Sequence, residues 1–142
     1  MIRSNGNIIL PPSETGTEWF LASNQILWLF FSFSGRISRA AYFLAGMLMM
    51  VAVVFITYRM VLAEETGTGG AFWESILTVV LLASLWAQAA LGAKRFHDFG
   101  KPGVYAALLF VPFFNFIAFV ALCLFPGNPG ANQFGRTTNA PA

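Results

Sequence analysis

Charged residues are scarce in this sequence. Of its 142 residues, eight are Lys or Arg and six are Asp or Glu, which is 10%, against about 25% in a typical soluble domain. Hydrophobic residues make up 57% of the chain, and the mean hydropathy is +0.67. So few charged side chains could not cover the surface of a soluble domain of this length. The composition therefore excludes an ordinary soluble protein and indicates an integral membrane protein.

Cysteine and histidine are nearly missing as well. Cys123 is the only cysteine and lies in an apolar run, and His97 is the only histidine. These residues supply neither a disulfide framework nor the usual ligand count of a metal site, so we predict no metal and no cofactor. No Ser or Cys nucleophile stands in a recognisable motif, so we predict no catalytic residue. The net charge is only +2 and the basic residues form no stripe, so we expect no nucleic acid partner.

The charges that are present leave four uncharged runs. The runs contain 17, 19, 19 and 34 residues, at 19–35, 40–58, 75–93 and 102–135. An α-helix rises about 1.5 Å per residue, so about 20 apolar residues cross a hydrocarbon core of roughly 30 Å. Runs of this kind predict an all-α membrane protein.

Three transmembrane helices are predicted, at about 40–63, 73–93 and 104–125. Gly100 can end the second helix in the left-handed conformation, which makes the connection to the third a tight one. Pro112 lies near the centre of the third span and predicts a kink there. The alternative is a re-entrant third segment that folds at Pro112 and returns the C-terminal residues to the side on which the segment began.

A short apolar segment at 19–34 precedes these spans. Its apolar part would reach only about 22 Å as a helix, so we expect it to lie in the interface as an amphipathic segment or to re-enter the membrane. A fourth span is the alternative. The remaining divisions are a polar N-terminal tail at 1–18 without the features of a cleaved signal peptide, a single membrane domain at 19–136, and a C-terminal tail at 137–142.

Five basic residues are predicted to meet at one membrane face, and we call them the basic cluster: Arg36, Arg39, Lys94, Arg95 and Lys101. With Asp98 as the only acid among them, the net charge is +4. The excess of Lys and Arg places the N-terminus and loop 94–103 in the cytoplasm. The cluster is either this orientation signal alone or a site for anionic lipid head groups. An ion pair of Asp98 with Arg36 or Arg39 would also fasten the first helix to the loop.

Three further polar side chains are candidates. His97 beside Asp98 could form a general base with an orienting carboxylate, but neighbouring residues on a helix point in different directions. We therefore expect His97 to make a hydrogen bond that closes the turn. Gln88 and Asn115 are predicted to lie inside the membrane, where a polar side chain is costly against lipid, so each should contact another helix.

Three motifs together carry a resemblance to a known family: Phe-Ser-Gly-Arg-Ile-Ser-Arg at 33–39, Ala-Lys-Arg-Phe-His-Asp-Phe-Gly at 93–100 and Pro-Gly-Asn-Pro-Gly-Ala-Asn-Gln-Phe-Gly at 126–135. This set resembles the bacterial family called domain of unknown function 805, the YhaH-like inner membrane proteins, over roughly residues 27–136. The resemblance implies a multi-pass protein of the bacterial inner membrane, and it supplies no reaction.

The last motif adds four candidate site residues, Asn128, Asn132, Phe134 and Gly135. The chain departs from the family in two places. It has Lys-Pro-Gly-Val at 101–104, where the family often has an aromatic-rich Ser-Gly-Trp. It also has Gln133 where the family commonly has Arg, which weakens the case for anion binding by the tail.

Three functions are compatible with these features. We favour a non-enzymatic helix bundle that binds anionic lipid or a partner membrane protein, because no catalytic constellation is present. A transporter or channel component is the alternative, and it would require a homo-oligomer since three helices enclose no pore. An enzyme acting on lipid head groups through His97 and Asp98 is the third.

Overall fold

The computed structural model describes residues 3–4, 7–8 and 24–142. Its elements are the short antiparallel strands β1 (Arg3–Ser4) and β2 (Asn7–Ile8), then helices α1 (24–31), α2 (Arg39–Glu65) and α3 (Gly70–Asp98), a 3₁₀ helix (Gly103–Phe110) and α4 (Phe114–Leu124). Residues 24–142 are thus helical with loops, as the all-α prediction requires. Most of the predicted tail at 1–18 and the first residues of segment 19–34 lie outside the described residues.

Helices α2 and α3 form a long hairpin. They contain 27 and 29 residues, or about 40 and 44 Å of helix, and both are long and apolar enough to cross a membrane. The side chain of Ser38 caps α2 by accepting from the backbone N–H of Ala41 at 3.2 Å. Large apolar side chains such as Leu44, Val54 and Val79 are exposed along the hairpin. This is the pattern expected of helices whose solvent is lipid.

Helix α3 is longer than the predicted span 73–93 and continues to Asp98. Its last turn therefore includes residues that the sequence placed in a connecting loop. The helix continues because Lys94, Arg95 and Asp98 on that turn are buried against other elements. Gly100 then ends it with φ +69°, in the left-handed region where glycine is favoured.

The third predicted span, 104–125, is not a continuous helix. It consists of the 3₁₀ helix and α4, separated by a break at 111–113. Pro112 cannot donate a backbone hydrogen bond, and Phe113 has φ +68°, a value that bulky residues seldom adopt. Each piece is only about 16 Å long. Among the described residues, the helices long enough to cross a membrane number two, α2 and α3.

The broken segment begins and ends beside the same turn of α3. Gly103 at its start packs against Ala93 and the ring of His97. At its end, the carbonyls of Leu122 and Phe125 accept hydrogen bonds from Arg95. The segment therefore folds back near Pro112, as in the re-entrant alternative. The residues that follow it reach the end of α3.

The core lies at this same end of the hairpin. It contains Ile37, Tyr42, Leu91 and Leu122 among its buried residues. Helix α3 and the 3₁₀ helix approach closely at Gly92, where any side chain would overlap Leu109. Among the described residues, this core lies at the end of the hairpin where Arg36, Lys94 and Arg95 of the predicted basic cluster are buried.

Candidate functional site

The site is built around an ion pair between a residue shortly before α2 and the last residue of α3. Arg36 precedes α2, and Asp98 is the last residue of α3. The Nη2 and Nε atoms of Arg36 donate to Oδ1 of Asp98 at 2.9 and 3.1 Å. The two residues are 1% and 3% exposed. Of the two arginines considered from the sequence, Arg36 is the partner of Asp98.

Arg36 also holds the C-terminal segment. Its Nη1 donates to the carbonyls of Gly130 at 2.6 Å and Gly135 at 3.3 Å, and its Nη2 donates to the carbonyl of Asn128 at 2.6 Å. A guanidinium has five N–H donors, and all five have acceptors here. Arg36 therefore has no donor left for an external anion.

Arg95 shares the same carboxylate and binds the end of α4. Its Nη1 donates to Oδ2 of Asp98, one turn away on α3. Its Nε and Nη2 donate to the carbonyls of Leu122 and Phe125 at 2.8 and 2.6 Å. The last carbonyls of a helix lack partners within the helix and carry partial negative charge. At the C-terminus of α4, Arg95 supplies both hydrogen-bond donors for these carbonyls and a positive charge that compensates their partial negative charge.

Lys94 binds the carbonyls at the C-terminal end of α1. Its Nζ donates to the carbonyls of Trp28, Leu29 and Ser32 at 2.8, 2.6 and 2.5 Å. An ammonium has three N–H donors, so this side chain is fully used, and it is 0% exposed. The ammonium also lies 4.9 Å from the centroid of the Trp28 ring. Lys94 thus fixes the short helix α1 to the end of α3.

We call these four residues the buried charged core: Arg36, Lys94, Arg95 and Asp98. It contains three cations and one carboxylate. Buried charge is costly unless it is compensated. The compensation comes from backbone carbonyls of the tail and from two helix C-termini, each of which acts as about half a negative charge. The buried charged core thus has a structural role: it joins α1, α3, α4 and the tail.

The tail motif in turn caps α3. The backbone N–H of Asn128 donates to the carbonyl of Asp98 at 2.8 Å, and the side-chain amide of Asn132 donates to the carbonyl of His97 at 2.8 Å. The ring of Phe134 stacks on His97 with centroids 4.1 Å apart and a 5° interplanar angle. Gly135 contributes the carbonyl bound by Arg36. All four candidate residues of this motif therefore lie at the site.

His97 is not paired with Asp98. Its Nδ1 lies 3.1 Å from the carbonyl oxygen of Gly35, 62 residues away in the chain. The side chain therefore joins α3 to the residues before α2, whereas the sequence predicted that it would close its own turn. The carboxylate of Asp98 instead contacts Arg36 and Arg95. The arrangement is not that of a general base with an orienting carboxylate.

Four residues at the site were missed by sequence reasoning: Gly35, Gly127, Thr138 and Asn139. The hydroxyl of Thr138 donates to Oδ1 of Asp98 at 3.1 Å, and the backbone N–H of Asn139 donates to the carbonyl of Arg36 at 2.8 Å. Both residues belong to the stretch 137–142, which was set apart as a tail. Glycine at 35 and 127 permits close approach of the tail. Both glycines lie in the motifs at 33–39 and 126–135, which were the available signal, whereas Thr138 and Asn139 lie outside every motif.

The remaining members of the basic cluster face outward. Arg39 is exposed and makes one hydrogen bond, from Nη1 to the carbonyl of Leu124 at 3.3 Å. Lys101 is exposed in the connection after α3. The five predicted cluster residues thus divide into three that are buried and used internally and two that remain open.

Gln88 and Asn115 lie apart from this site. Both line a cavity of about 680 Å³ between α2, α3, the 3₁₀ helix and α4 that is open at the protein surface, where Gln88 is half-buried and Asn115 is exposed. Within residues 24–142, neither side-chain amide has a hydrogen-bond partner. The predicted helix-to-helix hydrogen bond is therefore not formed by these amides in the described part of the chain.

The three motifs that converge here also carry the relationship to known proteins. A family model described as "Protein of unknown function (DUF805)" matches residues 30–136. The chain belongs to this family. It is 26% identical to the inner membrane protein YhaI of Escherichia coli (strain K12) over 120 residues, which are 84% of this chain and 93% of that protein. It is 27% identical to the inner membrane protein YhaH of the same strain over 122 residues, 83% of this chain and 93% of that protein.

No solved structure matches the chain. The family match confirms the resemblance carried by the motifs at 33–39, 93–100 and 126–135. It spans the buried charged core together with Gly135, and ends at Arg136. The names of both relatives describe inner membrane proteins, in agreement with the apolar helices found here.

Proposed function

We propose that this chain is a non-enzymatic protein of the bacterial inner membrane that binds anionic lipid head groups through Arg39 and Lys101. The observation that carries the proposal is the division of the basic cluster. The donors of Arg36 and Lys94 are all taken up by protein acceptors. Arg39 and Lys101 are exposed beside them.

The distribution of charge supports an orientation. In the described part of the chain, the acids other than Asp98 are Glu64, Glu65 and Glu74, which lie at the opposite end of the α2–α3 hairpin. An excess of Lys and Arg marks the cytoplasmic side of a membrane protein. We therefore place loop 94–103 in the cytoplasm, where the leaflet is rich in anionic lipid and each nearby basic residue contributes about 1 kcal/mol of attraction.

The topology that we propose has two spans and one re-entrant segment. Helices α2 and α3 cross the membrane, and residues 103–125 enter it and return. The hydrogen bonds from Arg95 to Leu122 and Phe125 support the return, because they fix the end of the segment at the end of α3. The exposed cations and the tail then share one membrane face.

Lipid retention tests the proposal. The wild-type chain and the double variant Arg39→Gln/Lys101→Gln would be titrated, in detergent, with phosphatidylglycerol and with phosphatidylcholine as the neutral reference. Loss of two cations at about 1 kcal/mol each predicts roughly 30-fold weaker phosphatidylglycerol binding. Binding of phosphatidylcholine should not change.

Arg59→Gln provides the matched control. Arg59 is an exposed cation on the same helix as Arg39, but it lies at the acidic end, 4.7 Å from the centroid of the Trp73 ring. This variant should bind phosphatidylglycerol as the wild type does. Equal affinity of the double variant and the wild type would overturn the proposal.

A further inference from the structure

The cavity between α2, α3, the 3₁₀ helix and α4 has the character of a ligand site. Its volume is about 680 Å³, within the range of small-molecule pockets. Its wall is apolar and aromatic, with Met47, Phe116 and Phe119 among the lining residues, and three polar side chains interrupt it: Ser84, Gln88 and Asn115. A mostly apolar wall with a few convergent polar groups is typical of ligand pockets in proteins.

By residue count, the two amides of the cavity lie equally far from the ends of their helices. Gln88 is ten residues before Asp98, the last residue of α3. Asn115 is ten residues before Phe125, the C-cap residue of α4. Ten residues of helix span about 15 Å, half of a hydrocarbon core of roughly 30 Å. In the two-span topology proposed above, on which this step depends, both amides are therefore near the middle of the bilayer.

An amide at this depth requires a partner. Water is absent from the hydrocarbon core, and an unsatisfied polar group there is costly. In the described part of the chain neither amide has a partner, and the hydroxyl of Ser84 reaches only the sulfur of Met49 at 4.0 Å. These groups point to an occupant that carries hydrogen-bond acceptors into the middle of the membrane.

The break in the re-entrant segment helps to form this wall. Phe113, with φ +68°, and the hydrogen bond from the backbone N–H of Asn115 to the carbonyl of Val111 at 3.0 Å begin α4 at the cavity. Strained backbone conformations persist where the surrounding structure holds them, and they concentrate at functional sites. The strain here lies two residues from one of the two amides.

The lining restricts the chemistry of the occupant. Among the described residues that line the cavity none is charged, so the occupant is neutral. Phospholipid head groups and ester carbonyls lie near the membrane surface, and acyl chains have no acceptor. A quinone is neutral, dissolves in the bilayer interior and presents carbonyl oxygens on a flat ring that can pack against Phe116 and Phe119.

We propose that this cavity binds the ring of a membrane-soluble quinone, with Gln88 and Asn115 donating hydrogen bonds to its carbonyl oxygens. The site is separate from the exposed cations Arg39 and Lys101. It gives the protein a neutral ligand in addition to the lipid head groups at its surface. We assign to this site the binding of the quinone and no reaction.

Quinone binding tests the proposal directly. The full chain in phosphatidylcholine nanodiscs would be titrated with decylubiquinone and followed by native mass spectrometry. We expect saturable binding of one quinone per chain. Gln88→Leu and Asn115→Leu should each weaken it about tenfold, since a lost hydrogen bond of about 1–1.5 kcal/mol corresponds to that factor.

Thr78→Val is the matched control, because Thr78 lies on α3 outside the cavity lining and its hydroxyl binds its own helix at the carbonyl of Glu74. It should bind quinone normally. Gln88→Met provides a second apolar variant should Gln88→Leu fail to fold. Arg39→Gln/Lys101→Gln should also bind quinone normally, so failure of the lipid proposal and failure of this one are distinguishable.

Two results would overturn the inference. Unsaturable uptake that is equal in the wild type and in all variants would show only partition into the lipid of the nanodisc. Dimers that disappear in Gln88→Leu, with quinone uptake unchanged, would show that a second copy of the chain supplies the partners of these amides.

Discussion

Gly127 lies directly against the carboxylate of Asp98. A side chain at this position would overlap the carboxylate and would also lie 3.0 Å from the backbone carbonyl of Asp98. The tail approaches the end of α3 closely enough for Arg36 to bind both only because residue 127 has no side chain. Gly127 is therefore part of the site, although it contributes no functional group.

The substitution Gly127→Ala should consequently destabilise the protein. The added methyl group must displace either the tail or the carboxylate that binds Arg36 and Arg95, and overpacking of this kind costs about 1–3 kcal/mol. We expect a lower midpoint of thermal unfolding in detergent. Gly130→Ala is the control, because nothing lies within 4 Å of a Cβ there. Equal midpoints for the two variants would contradict this account of the tail.

Lys94 should determine whether helix α1 stays attached. In Lys94→Met the carbonyls of Leu29 and Ser32 lose their donor, whereas the carbonyl of Trp28 keeps the backbone N–H of Ser32. An acceptor removed from water and left without a partner costs about 1–3 kcal/mol. Helix α1 should then detach. Hydrogen exchange of residues 24–34 should become at least tenfold faster in this variant, since 1.4 kcal/mol corresponds to a factor of ten.

Lys101→Met removes the same charge from an exposed position and serves as the control. Its exchange at 24–34 should match that of the wild type. If both variants exchange equally fast, the attachment of α1 depends on the overall charge of this face and not on the hydrogen bonds of Lys94.

The long helices were predictable from the sequence because membrane solvation acts on every residue in them. Uncharged runs at 40–58 and 75–93 are required wherever a helix faces lipid, and α2 and α3 cover both. The left-handed Gly100 and the break at Pro112 were also predictable, since both follow from local backbone chemistry.

The inward direction of Lys94 and Arg95 was not predictable in the same way. A count of basic residues at one face indicates orientation, but it does not show whether a side chain meets lipid or protein. Apart from the carboxylate of Asp98, which Arg95 also binds, the acceptors described for these residues are backbone carbonyls, chiefly at the ends of α1 and α4. Carbonyls occur at every residue, so no residue type marks them, and only the fold brings them to α3. The same holds for Thr138, which is 40 residues from Asp98.

The side of the membrane on which the tail lies tests the whole arrangement. With Cys123→Ala as background, single cysteines would be introduced as Lys101→Cys, Arg136→Cys and Thr68→Cys and labelled from either side with a membrane-impermeant maleimide. Residues 101 and 136 flank the site at the end of α3, whereas Thr68 lies in the turn between α2 and α3. A re-entrant 103–125 segment predicts that positions 101 and 136 are labelled from the cytoplasmic side and position 68 from the opposite side.

Three continuous spans would instead label position 136 together with position 68. That result could not be reconciled with the hydrogen bonds from Arg36 to the carbonyls of Asn128 and Gly130, because their atoms lie 2.6 Å apart. The labelling pattern therefore decides between a buried charged core that joins the tail to α3 and a tail on the far side of the membrane, where Arg36 and Arg95 would have to find other partners for their donors.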